Sequence, residues 1–211
     1  MKDMRIIFLT ITFLILNCST NAANQTTVEA DSVFRSRTDS VFSNRLNFIL
    51  SNLGDLRLND VKSKEQEWDG VDNMPDYRLG IGESYYPNPN KYEIDTFRVY
   101  LIHEDSLIEN SITYYATKES GLIRVVFLEW EEPFLINPSL QEKADETFRN
   151  KSMLLEYSII YELGTKIWRR EDNEMQNYKT ILWKTFDDFT INLEIMKPFN
   201  RIRIIIYKDY T

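Results

Sequence analysis

Apolar residues recur along this chain with two periods, and each change of period marks a change of element. Phe34, Val41, Phe42, Leu46, Ile49, Leu50 and Leu53 line one face of a helix predicted over Asp31–Leu53, with Gly54 placed for a left-handed helix end. From Asp55 to Asp95 the periodicity lapses. Gly70, Pro75, Gly80, Gly82, Pro87 and Pro89 punctuate that stretch, which is expected to hold only short pieces of strand. The period then becomes two. Phe97, Val99 and Leu101 alternate with Arg98 and Tyr100, and His103-Glu104-Asp105-Ser106 reads as the turn that follows. A second strand runs from Ile108 to Ala116 and ends before Ser120-Gly121. Leu122–Trp130 is apolar on both faces apart from Arg124 and Glu129, which places it centrally in a sheet.

Helical spacing returns at Leu140, Ala144, Phe148, Leu155, Ile159 and Leu163, behind a Ser139–Glu142 capping box and ahead of Gly164. Met153, Leu155, Tyr157, Ile159, Tyr161 and Leu163 also alternate as a strand would, but continuity with the capped start favours a helix. Three strands close the pattern: Tyr178–Phe186, Phe189–Met196 and Arg201–Lys208, with turns at Asp187-Asp188 and Pro198-Phe199-Asn200. Phe189, Ile191, Leu193, Ile195, Ile202, Ile204 and Ile206 are the inward positions. The fold class expected is therefore α+β, an antiparallel meander sheet with two helices in the order helix, three strands, helix, three strands. Residues 31–211 read as a single domain, with two helix-plus-meander halves, 31–134 and 135–211, as the variant of that reading.

The first 22 residues stand apart. Lys2 and Arg5 precede an uncharged run, Ile6–Leu16, of the length of a signal-peptide core and too short for a lasting membrane anchor. Ile15-Leu16-Asn17-Cys18 resembles the lipobox of bacterial lipoproteins, with Asn17 where that pattern has a small residue. The resemblance implies a lipidated Cys18 at the mature N-terminus. Thr20 and Ala22 supply the alternative, ordinary cleavage after Ala22, which leaves the polar stretch 23–30 as a flexible tether. Cys18 is the only cysteine, so no internal disulfide forms, and for an exported chain this points to a bacterial envelope.

Charge narrows the partners. The chain carries 25 basic and 33 acidic residues, and loss of residues 1–22 with Lys2, Arg5 and Asp3 leaves 23 and 32, net −9. That sign disfavours nucleic acid and anionic lipid, so membrane contact is expected only through an anchor at Cys18. Hydrophobic content of 43% with 12 Tyr, 12 Phe and 4 Trp indicates a folded core.

Candidate chemistry is sparse. His103 is the only histidine, stands in a turn beside two acids, and has no nucleophile elbow to serve. With one histidine and one cysteine a zinc site of the usual ligands is not expected, nor is any cofactor. Asp69-Gly70-Val71-Asp72-Asn73 lacks the spacing of a calcium loop. The acids Asp69, Asp72, Glu129, Glu131, Glu132, Glu171, Asp172, Asp187 and Asp188 read mainly as solvated surface, although a hydrolase of the glycosidase type would draw its pair from such residues. Trp68, Tyr77, Tyr85, Tyr86 and Tyr92 supply aromatic surface on a proline-stiffened segment, and are the candidate binding residues. The same rings can instead fold back over the sheet. The reading expected is a non-enzymatic envelope protein that binds another envelope protein, an immunity-type inhibitor being one form of it. The alternative is a small carboxylate-dependent hydrolase or carbohydrate-binding protein of the periplasm.

Overall fold

The alternating segments become the strands of one antiparallel sheet. The computed structural model describes residues 41–74, 81, 94–104, 107–133, 137–163, 167–173, 177–185 and 188–208, and Val41–Thr211 form one compact unit. Helix α1 covers residues 41–52, α2 is Leu58–Glu67 and α3 is Gln141–Leu163. The strands are β1 Val71–Asp72, β2 Ile94–Ile102, β3 Glu109–Thr117, β4 Ile123–Glu131, β5 Ile167–Asn173, β6 Tyr178–Lys184, β7 Phe189–Met196 and β8 Arg201–Lys208. Their spatial order is β1-β2-β3-β4-β8-β7-β6-β5. Counted inward, β1–β4 occupy one half and β5–β8 the other, and the halves join at the antiparallel β4–β8 pair, Glu129 opposite Arg203 and Leu128 opposite Ile204.

The fold is thus α+β, but the expected element order is corrected. Among the described residues there are three helices and eight strands. Helix α2 falls in the stretch without periodicity, because its sequence LNDVKSKEQE buries only Val61 and Glu65. Strand β1 is one of the short pieces expected there. Strand β5, whose residues Arg169 to Asp172 are all charged, pairs among the described residues with β6 alone. The segment 153–163 is helical, the end of α3. Its cap differs from the expected box: Asn137 Oδ1 accepts from Ser139 N at 3.1 Å, and a 3-10 turn at Pro138–Leu140 leads into the helix. Gly54 is not left-handed. Helix α1 closes instead through Leu53 N to Ile49 O and Leu56 N to Asn52 O, both 2.8 Å, and runs on towards α2. Gly164 lies outside the described residues.

All three helices lie on the same face of the sheet. Phe42, Leu46 and Ile49 of α1, Val61 of α2, and Phe148, Leu155 and Ile159 of α3 pack with Ile112, Tyr114, Leu128, Trp130, Leu193, Ile202, Ile204 and Ile206 in the main core. Two polar clusters fasten helices to strands. Arg45 of α1 donates to Glu65 of α2 at 3.2 Å and to the Trp68 carbonyl at 3.1 Å, while the Tyr114 hydroxyl donates to the same carboxylate at 2.6 Å. These three residues are at most 1% exposed, so a charge without its partner here would be costly. In the second cluster Glu104 accepts from Asn110 Nδ2 at 2.7 Å, from Trp130 Nε1 at 3.4 Å and from Lys151 Nζ of α3.

Candidate functional site on the sheet face opposite the helices

Alternation along each strand sends every second side chain to the face opposite the helices. Antiparallel register then aligns those side chains into rows across the sheet. One row runs Ser111, Glu129, Arg203, Glu194, Thr180 and Glu171 through β3, β4, β8, β7, β6 and β5. The next row places Glu131 opposite Arg201, and beyond it lie Met196 and Tyr178. On the other side the rows turn apolar. Phe97, Val99, Tyr115, Val125 and Ile205 form a second cluster, with Ile94, Phe127, Tyr207 and Ile81 packed against it. Among the described residues this cluster contains no helix residue, and Ile81 is its one member from outside the strands.

The polar half is an ion-paired ladder. Arg203 Nε donates to Glu129 Oε2 at 2.6 Å, and its Nη1 lies 3.8 Å from Glu194 Oε2. Arg201 bonds Glu131 through Nη2 and holds its Nε 3.9 Å from Glu129 Oε1. Glu194 also accepts from Asn192 Nδ2 at 3.0 Å and is hydrogen-bonded to the Tyr178 hydroxyl. Burial nevertheless pushes its carboxyl above the ordinary carboxylate value, against the opposing pull of Arg203, Tyr178 and Asn192. Exposure rises along the ladder, from 10% for the Glu194 side chain and 12% for Arg203 to 41% for Glu131. At the seam between the halves the Arg203 guanidinium lies 5.9 Å from the Phe127 ring centroid. Tyr115 meets Phe127 edge-on at 5.2 Å. Burial drives the Tyr115 phenol up to about 12.

Of the residues singled out from sequence, the acids Glu129, Glu131 and Glu171 lie in these rows, and the other described ones fall elsewhere. Trp68 is half-buried in the turn after α2, edge-on to Phe48 at 5.4 Å, with the Arg45 guanidinium 5.3 Å and Lys64 Nζ 5.7 Å from its ring centroid. Tyr77, Tyr85, Tyr86, Tyr92 and Cys18 lie outside the described residues. His103 is exposed just after β2. Of the acids, Asp72 lies 3.6 Å from Arg98, Asp172 accepts from Arg170 at 2.9 Å, and Glu132 accepts from Gln141 and Asn200. Asp69 and Asp188 are left-handed turn residues, and Asp187 lies outside the described residues. Among the described residues no three His, Cys, Asp or Glu side chains come together to hold a metal ion.

The pattern of β8 contained the signal for the ladder. Arg201 and Arg203 alternate with inward isoleucines, so both arginines share the outward face. What the sequence does not display is the register that sets them against Glu129, Glu131 and Glu194 on two other strands. No helix among the described residues is long and apolar enough to cross a membrane. No protein-family model, curated protein or solved structure matches the chain.

Proposed function

We propose that this chain is an exported bacterial envelope protein acting as a non-enzymatic protein-binding module, with the polar part of the sheet face opposite the three helices as its binding surface. The observation that carries the reading is the Glu131–Arg201 and Glu129–Arg203–Glu194 ladder laid beside the half-buried Phe127 and Tyr207. Half-buried aromatic rings bordering polar, pre-paired side chains are a mixture that protein interfaces use. Each acid of the ladder is engaged by an arginine, which suits fixed recognition better than proton transfer. The export features, Lys2, Arg5 and Ile6–Leu16, support an envelope location, with Cys18 as the lipid anchor or Ala22 as the cleavage site. An acidic, small immunity-type inhibitor is one form of this function.

One observation favours a second reading, a small carboxylate-dependent hydrolase or carbohydrate-binding protein. Burial raises the Glu194 carboxyl above its ordinary value, and Glu129 stands one strand beyond Arg203. Two strand spacings separate their backbones by on the order of 10 Å. Two carboxyl groups on a single surface, one of them raised by burial, are the kind of pair glycoside cleavage draws on.

In-cell cross-linking of the tagged protein, followed by mass spectrometry of its partners and of its N-terminal peptide, tests both readings. A stoichiometric partner captured by wild type and lost in Arg201→Ala supports the sheet face. Loss only on joint substitution of Tyr85, Tyr86 and Tyr92 moves the site to that segment. Absence of a partner, with turnover of a glycoside substrate that Glu194→Gln abolishes, replaces the first reading by the second. The N-terminal peptide distinguishes a lipidated Cys18 from a free Ala23.

A further inference from the structure

Helix α3 is apolar on two sides. Phe148, Leu155 and Ile159 enter the core, while Met153, Tyr157 and Tyr161, spaced four residues apart, are 55%, 74% and 80% exposed. Half-buried Leu154 and Ile160 flank them. Between Met153 and Tyr161 the exposed positions of the helix carry no charge and half-buried Glu156 is ion-paired within its own chain, whereas the preceding turns expose Glu142, Lys143, Glu146 and Arg149. Among the described residues the other large exposed apolar side chains, Val71, Met74, Leu140 and Phe199, stand on other segments. From the size of such side chains the stripe presents on the order of 400 Å², within the range of surface patches that tend to be functional.

We propose that this stripe is the contact of a symmetric dimer, in which α3 of a second copy lies antiparallel about a two-fold axis at Tyr157. Helical geometry makes the stripe self-complementary. In that arrangement Leu154 meets the partner's Tyr161 on one side of the axis and Met153 meets the partner's Ile160 on the other. Charge selects the place. Two copies of net charge −8 repel over most of their surfaces, so a self-contact is admitted where the surface is locally uncharged. Glu156, at the margin, is engaged by Lys179 and Arg170 of its own chain. Roughly 400 Å² per copy is about half the share of a stable interface, so the dimer is concentration-dependent and dissociates on dilution. This inference is independent of the sheet-face reading, which uses other strands and other residues.

Sedimentation velocity on the full chain, from micromolar to near-millimolar concentration, tests it with wild type, Tyr157→Phe, Tyr157→Lys and Tyr161→Lys. Wild type and Tyr157→Phe shift from monomer to dimer as concentration rises. Each lysine variant weakens association by roughly tenfold or more, since it sets like charges together at the axis or a charge in an apolar contact. Circular dichroism stays native, because both tyrosines are exposed. Added salt tightens the wild-type dimer by screening the repulsion between the two acidic bodies. A wild type that stays monomeric, lysine variants that dimerise like wild type, or a dimer that salt loosens would each overturn the proposal. The last result would mean that an ion-paired contact holds the copies together.

Discussion

Glu104 gathers three donors from β3, β4 and α3, and Lys151 depends on it for charge. The Lys151 side chain is 8% exposed and its ammonium lies 5.3 Å from the Trp130 ring centroid. Glu104→Gln keeps the shape and removes the counter-charge. The expected cost is about 3–5 kcal/mol, seen as a lower urea midpoint with an unchanged slope, and Lys151→Met in the same chain recovers most of it. An unchanged midpoint would mean that the ammonium reaches water. Gly70 is constrained by the other buried cluster. Its N–H donates to the Glu65 carbonyl at 2.8 Å, and a Cβ there would sit 2.8 Å from Glu65 Oε2 and 3.1 Å from Glu65 O. Arg45 and Tyr114 hold that carboxylate in place, so Gly70→Ala is expected to cost about 1–3 kcal/mol. A cost near zero in the same titration would show that Glu65 can move aside.

Secondary-structure elements differ in what makes them stable, and this decides which of them can be read from sequence. Strands β3, β7 and β8 follow their apolar alternation, because burial on the helix side is what the alternation records, while β4 is apolar on both faces and sits centrally. Helix α2 owes its place to a buried ion pair with a residue twenty positions earlier, which no local pattern announces. Strand β5 is held by its ladder with β6 and carries edge charges of the kind that discourage further pairing. The two periods within 153–163 come from one helix with an inner and an outer apolar stripe. The ladder was half legible: its residues were visible as outward positions, and their meeting depends on register across strands distant in sequence. Turns were legible where a side chain tolerates positive φ, as at Asp188 with φ 62°. Asp188→Gly is therefore expected to be neutral or mildly stabilising, while Asp188→Val costs about 1–2 kcal/mol. Equal melting temperatures for the two variants would contradict the left-handed assignment.

At the level of the whole molecule, buried ionisable groups on the sheet tie stability to pH. Folded Glu194 keeps its proton to higher pH than the ordinary value of 4.5, so across that interval the folded state binds more protons than the unfolded one. Its contribution is complete below 4.5 and is lost as pH rises through the raised folded value. Tyr115 repeats the pattern at the alkaline end, its contribution fading between its ordinary 10 and about 12. Urea midpoints measured against pH should show the acid-side slope in wild type and a shallower one in Glu194→Gln. Identical slopes would show that water reaches the Glu194 carboxyl. The β4–β8 seam has a consequence for how the chain reaches this state. Each meander pairs strands that are neighbours in sequence, but the seam joins positions such as Glu129 and Arg203, 74 residues apart. Closing so long a loop carries an entropic cost and slows folding. Until β8 arrives, β4 presents an unpaired edge that is apolar on both faces. Since the β8 residue paired with Glu129 follows it by 74 residues, that edge stays open while the intervening chain is made, and the nascent chain is most prone to aggregate in this interval.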